Sequence, residues 1–191
     1  MKKILFTTII FSNFIFSQNI DFEGFMNFSY RSNLGKIHLE VNNLDKEFLY
    51  INSLSRGIGN NDLGLDRGQL GNTRIVFFTK RGNKILLIQP NTKYVSNSDN
   101  YLENRAVEEA FARSVLFSFE IIEEKNNNYV IDLTPLLIND AHGVAERLKY
   151  SNSGNYSLNK LMSAIELDRT KAFPENIEFD VILTFTGNPT G

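Results

Sequence analysis

Apolar and polar residues alternate over much of this chain, the period of a strand with one face buried. The alternation predicts strands over residues 22–30 and 37–41, joined by Arg31-Ser32-Asn33-Leu34-Gly35-Lys36 with glycine at a turn position. Residues 47–51, rich in aromatic and β-branched side chains, are a further strand. Residues 73–79 and Lys84–Gln89 make the clearest hairpin, across Lys80-Arg81-Gly82-Asn83, and residues 92–95 are expected to extend that sheet past Pro90. The period then changes: over residues 103–114, Ala106, Val107, Ala110 and Phe111 fall on one helical face. Another hairpin pairs 115–123 with 129–133. A short helix follows over 141–149, with Asn139 or Asp140 placed to accept a free first-turn amide. Residues 150–155 read as a polar loop, 164–170 and 177–185 as a closing strand pair, and 187–191 as a turn-rich tail. With no repeat and no internal linker, the reading is an α+β fold: a single β-rich domain of antiparallel hairpins with two short helices.

The start of the chain breaks this pattern. Met1-Lys2-Lys3 precedes the apolar run 4–16, softened by Thr7, Thr8, Ser12 and Asn13 and closed by Ser17-Gln18. A basic start, a short apolar run and a small residue in that order predict a secretory signal peptide over residues 1–17. The run is shorter than the roughly 20 residues a spanning helix needs, so no membrane span is expected after its removal. Loss of Lys2 and Lys3 takes the net charge from −2 to −4. The expected location is periplasmic or secreted.

Composition narrows the chemistry further. There is no cysteine, which excludes disulfide scaffolds, thiolate zinc sites and cysteine nucleophiles. Twenty basic residues against 22 acidic ones do not make a nucleic-acid surface. The two histidines, His38 and His142, lie far apart, and neither has a partner at the helical spacing that grips zinc. Glu108-Glu109 are adjacent on a helix and point about 100° apart, so they do not converge on one substrate atom. Arg105 and Glu109, and Glu109 and Arg113, are spaced for ion pairs along a solvated face.

The densest feature is Gly57-Ile58-Gly59-Asn60-Asn61-Asp62-Leu63-Gly64-Leu65-Asp66-Arg67-Gly68-Gln69-Leu70-Gly71, with five of the twelve glycines. It lacks the lysine of a phosphate-binding loop, and its Asn and Asp spacing is not that of an EF-hand. Two readings remain. The loop is held by its own turns and by Asp62 or Asp66 pairing with Arg56 or Arg67, or it serves as a docking surface. The residues assigned to docking are Asn60, Asp62, Leu63, Leu65, Asp66, Arg67 and Gln69.

Several stretches together carry a resemblance: Phe48-Leu49-Tyr50-Ile51, the glycine-aspartate loop, Gln89-Pro90-Asn91, Ala106-Val107-Glu108-Glu109-Ala110-Phe111-Ala112-Arg113-Ser114-Val115, Asp140-Ala141-His142-Gly143-Val144-Ala145 and Arg169-Thr170-Lys171-Ala172-Phe173-Pro174. Over residues 22–187 the chain resembles the uncharacterised N-terminal domain of large secreted bacterial zinc-dependent metalloproteases of the met-zincin kind. In that family the zinc lies in a following catalytic domain, on a helix with an HExxH pattern. This chain has no His-Glu dipeptide, so no catalytic residue carries over. The resemblance implies that residues 18–191 are an accessory domain without cofactor of its own, whose partner is a metallopeptidase catalytic domain in cis or in trans. The alternative is an exported stand-alone module that binds a peptide or glycan.

Overall fold

The computed structural model describes residues 19–190, so the expected signal segment, from Lys2 and Lys3 to Ser17, lies outside the described residues. Fourteen strands and three α-helices follow in order. The first part of the chain forms β1 (Ile20–Phe22), β2 (Phe28–Arg31), β3 (Lys36–Val41), β4 (Phe48–Tyr50), β5 (Arg74–Arg81) and β6 (Lys84–Gln89). Helix α1 (Tyr101–Ala110) then leads to β7 (Ser114–Lys125) and β8 (Asn128–Asp132). Helices α2 (Thr134–Leu137) and α3 (Val144–Tyr150) come next. The chain ends in short strands: β9 (Gly154–Leu158), β10 (Ala164–Ile165), β11 (Lys171–Ala172), β12 (Ile177–Glu178), β13 (Val181–Ile182) and β14 (Phe185–Pro189).

Eight strands form one antiparallel sheet in the order β1-β2-β3-β8-β7-β6-β5-β4. The pleat sorts its residues by face. On β3, Ile37, Leu39 and Val41 are buried while His38 and Glu40 alternate with them on the other side. Across the ladder, Phe28 faces Leu39, Ile131 faces Leu39 and Ile121, and Phe78, Leu87 and Phe119 continue the same inner layer. The sheet curls, so that Phe25, in the turn after β1, reaches the ring of Phe48 on the opposite edge strand with centroids 6.1 Å apart. The C-terminal segment fills the curl, with Phe179 against Phe28 and Ile177, Val181 and Leu183 packed on the inner layer. Entry of that segment requires glycine at position 24, where a Cβ would stand 2.6 Å from the Phe173 carbonyl oxygen.

Several elements depart from the pattern-based expectation. Residues 22–30 are not one strand: β1 and β2 pair with each other around residues 23–27, because the sheet's edge folds back on itself. Residues 92–95 add no strand, since the Asn91 side chain accepts from the Lys93 and Tyr94 amides and donates to the Tyr94 carbonyl, fixing a local turn instead. Helix α1 begins earlier, where the Asn100 side chain accepts from the Leu102 amide, and it ends at Ala110. Its expected apolar face is not a core face, because none of its residues is buried. Arg105 and Glu109 do pair at 2.6 Å, whereas Glu109 and Arg113 do not.

The C-terminal third is more broken than expected. A third helix, α2, starts at Thr134-Pro135, where proline suits the first turn. The Asp140 carboxylate caps α3 by accepting from both the Val144 and Ala145 amides. The closing pair is divided into β10 with β13 and β11 with β12, separated by a 3-10 turn at Leu167–Arg169. The tail is a strand, β14, zipped to β9 over five residues.

Candidate functional site

Two features of the described residues are neither core nor simple connection: the glycine-rich arm between β4 and β5, and the face of the sheet turned away from the core.

The arm is ordered by its own backbone. Gly68 donates to the Leu54 carbonyl and Gly71 to that of Asn52, each at 2.7 Å; Leu54 donates to Gln69 at 3.0 Å. Ile58 donates to the Leu65 carbonyl, and an isolated bridge pairs Ser53 with Leu70. Glycine 57 is required by this close approach, since a Cβ there would meet the Leu65 carbonyl oxygen and the Arg67 amide at 3.0 Å. At the tip a 3-10 turn, Asn61–Leu63, turns Leu63 and Leu65 inward onto Val144 of α3, with Leu54, Leu148 and Phe185 around them. Arg147 of α3 completes the clamp, its Nη1 donating to the Leu63 and Gly64 carbonyls at 3.2 and 2.8 Å.

The residues assigned to docking therefore separate. Leu63 and Leu65 are buried in the chain's own second core. Asn60, Asp62, Asp66 and Arg67 are exposed, while Gln69 is half-buried and its side chain accepts from the Asp66 amide. The expected charge clasp is not formed: none of the five ion pairs among the described residues includes Arg56, Asp62, Asp66 or Arg67. Backbone hydrogen bonds and two leucines hold the loop, so its charged side chains are left in water. Ile58 and Leu70 remain as its outward apolar groups, Leu70 at 63% exposure.

The outer face of the sheet has two ends of opposite character. Across β4, β5, β6 and the start of β7, register aligns Leu49 with Ile75, and Phe77 with Ile88 and Val115. Phe77 and Ile88 are buried, with the Arg113 guanidinium over the Phe77 ring, yet Leu49 is 70% and Val115 57% exposed. Tyr101 and Leu102, at the start of α1, are also exposed, at 71% and 68%. Exposed apolar side chains thus stand on either side of the buried Phe77 and Ile88, Leu49 and Ile75 toward the β4 edge and Val115 on β7.

At the other end, over β2, β3, β8 and the end of β7, lies a polar groove of about 350 Å³. Arg31 and His38 line it from β2 and β3, Glu40 and Glu123 stand on either side of Val130 in register, and Lys125 pairs with Asn128 beyond them. Arg31 Nε donates to His38 Nδ1 at 3.2 Å, and Asn128 Nδ2 donates to Glu40 Oε2 at 3.0 Å. Burial, and then the neighbouring Arg31 charge, push His38 below the ordinary imidazole range, with Lys36 acting the same way and Asp132 opposing. Burial alone would raise Asp132. Hydrogen bonds from the Lys36 ammonium and from Thr134 outweigh it and hold the carboxyl below its usual range.

His38 is thus a strand-pair residue, opposite Ser29 and Asp132. His142 stands in the turn before α3, its Nε2 shielded without a hydrogen-bond partner. Among the described residues, no group of three or more His, Asp or Glu side chains is placed to hold a metal ion, and no helix is long and apolar enough to cross a membrane. Pattern reasoning missed both ends of the outer face. The signal was present as every second residue of β2, β3, β8 and β7, but which strands lie side by side is not written in that alternation.

A family model described as a domain of unknown function, DUF5117, matches residues 68–191, more than half of the chain. No match is found among curated proteins or solved structures. The matched segment begins at the end of the arm, so β1 to β4, which complete the sheet, precede it. This chain belongs to the DUF5117 family of uncharacterised domains.

Proposed function

We propose that the chain is a non-catalytic docking domain of an exported zinc-dependent metallopeptidase, and that its partner is the HExxH-bearing catalytic domain, in cis or in trans. The observation that carries this reading is the set of exposed apolar side chains on the outer face, Leu49, Ile75 and Val115, to which the arm's exposed Ile58 and Leu70 and the exposed Tyr101 and Leu102 of α1 are added. Side chains that could have been buried at about 25 cal/mol per Å² instead face water, which a covering partner explains. The sequence resemblance to met-zincin N-terminal domains supplies the identity of that partner. The exposed polar groups of the arm, Asn60, Asp62, Asp66 and Arg67, form the rim of the contact in this reading.

The test is association of the folded chain with a metallopeptidase catalytic domain supplied in trans. Leu49→Ser, Val115→Ser and Leu102→Ser are each expected to leave thermal melting within a few degrees and to weaken association about tenfold or more. Unchanged association in all three would overturn the proposal. Export is the second half of the reading: the mature protein is expected to begin near Gln18 by N-terminal sequencing, and a product retaining residues 1–17 would overturn that half.

A further inference from the structure

Between β6 and β7 the chain leaves the sheet at Gln89 and returns at Ser114, two residues that face each other in the ladder. The excursion between them, residues 90–113, is therefore tied at both ends to one rung. It is built as a unit. The Asn91 side chain fixes its first turn, Asn100 caps α1, the Asn104 side chain donates to the Ser98 carbonyl at 3.0 Å, and the rings of Tyr94 and Phe111 stack with centroids 4.1 Å apart. These contacts order the excursion without burying it. Helix α1 buries none of its ten residues, and Val95, Tyr101 and Leu102 are all well exposed. A helix of ten residues is marginal in water on its own, so its apolar side chains gain most from a surface to lie on.

The excursion is rooted on the outer face. Its last residue, Arg113, lays its guanidinium over the Phe77 ring, 6.0 Å from the centroid. Register places Val115 beside this root and runs on through Ile88 to Phe77, and β5 in turn pairs with β4, where Leu49 faces Ile75. From β7 to β4 is three strand spacings, about 14 Å. The ten residues of α1 rise about 15 Å. Helix α1 ends at Ala110, close in sequence to the Arg113 root, so its C-terminal end is the tethered one. Laid across the strands from that root, it brings Leu102 over β4 and β5, onto Leu49 and Ile75. The leading connection, residues 90–100, can extend to about 35 Å, which is more than the crossing needs.

We propose that residues 90–113 form a lid, with α1 closing across β6, β5 and β4 so that Leu102 covers Leu49 and Ile75. The structure holds the open form, and the closed form is the minor state. Rotation takes place at the two roots, residue 90 and residues 112–113, which lie outside the internally bonded unit. Closure buries apolar side chains on both surfaces at once, and it excludes any other occupant from the same groups. The inference does not rest on the docking reading, because closure needs no partner.

The chain has no cysteine, so closure can be trapped in the full chain by one introduced disulfide. Leu49→Cys and Leu102→Cys replace exposed side chains, and thermal melting of the reduced double variant checks that folding is kept. On mild oxidation this variant is expected to crosslink about tenfold faster or more than Leu49→Cys with Glu108→Cys, whose second cysteine stands on the same helix about 120° away. Locking should also lower binding of the apolar dye ANS about twofold or more, reversed on reduction, because the two apolar surfaces then cover each other. A chance collision of an open helix would give the crosslink without that loss. Equal crosslinking of the two pairs, or unchanged dye binding in the locked protein, would each overturn the proposal.

Discussion

Arg147 Nη1 donates to the Gly64 carbonyl oxygen at 2.8 Å, joining helix α3 to an arm 83 residues earlier in the chain. One guanidinium satisfies two carbonyls of a turn whose glycine stands at φ 58°, directly above the leucines that the arm buries. Arm and helix are therefore one structural unit.

That unit predicts which substitutions loosen the arm. Leu65→Ala, at 0% exposure, should destabilise the protein by about 2–5 kcal/mol. Arg147→Ala, which leaves two carbonyls without their donor, should cost about 1–3 kcal/mol. Asp66→Ala and Arg67→Ala should stay within about 0.5 kcal/mol, because neither side chain is paired. Urea denaturation of the four variants checks the order; a large loss for Asp66 with none for Arg147 would contradict it.

His38 gives stability a dependence on pH. Its folded-state pKa lies below the ordinary value near 6.5, so the unfolded chain takes up a proton first. Its contribution is present above the unfolded value and is lost as pH falls through the folded one. Arg31, Lys36 and Asp132 are the charges around it. His38→Gln, whose side-chain oxygen still accepts from Arg31, should flatten the stability profile as pH falls below about 6.5. Equilibrium unfolding at half-unit steps would show the slope in the parent protein and its reduction in the variant.

Asp132 acts lower on the pH scale. Its depressed folded-state pKa means that its contribution is complete above the unfolded value near 3.9 and disappears as pH falls through the folded value. Asp132→Asn should cost about 1–3 kcal/mol at neutral pH, since the Lys36 and Thr134 bonds are weakened. Lys36→Met should cost less, about 0–1 kcal/mol, because the ammonium is 45% exposed. Acid titration of the parent and of Asp132→Asn, followed by circular dichroism, separates the two.

Gly24→Ala tests the closure of the curled sheet. The added methyl would collide with the Phe173 carbonyl, 2.6 Å from the ideal Cβ position, and the Phe25 amide that donates to the same oxygen at 2.8 Å prevents easy withdrawal. A loss of about 1–3 kcal/mol is expected from overpacking. A neutral result in thermal melting would mean that the C-terminal segment seats elsewhere.

Local information was enough for the hairpins. Residues 31–36, 80–83 and 125–128 carry turn residues between alternating strands, and the structure has β2–β3, β5–β6 and β7–β8 there. The Asp140 cap was likewise legible, because a carboxylate and the amides it accepts lie within five residues. Alternation also identified which residues share a face of a strand, since the pleat has a fixed period. Tertiary contact decided the rest. Strand β3 neighbours β8 and β1 turns back on β2 because a curled sheet must cover its own apolar interior, and no single segment specifies that partner. The same closure drew Leu63 and Leu65 inward onto α3 and left Leu49 and Val115 outside. It also brought Asn128 against Glu40, 88 residues away in sequence. Leucine and arginine have one local chemistry, and only the neighbours supplied by the closed sheet decide whether that chemistry becomes core, clamp or site.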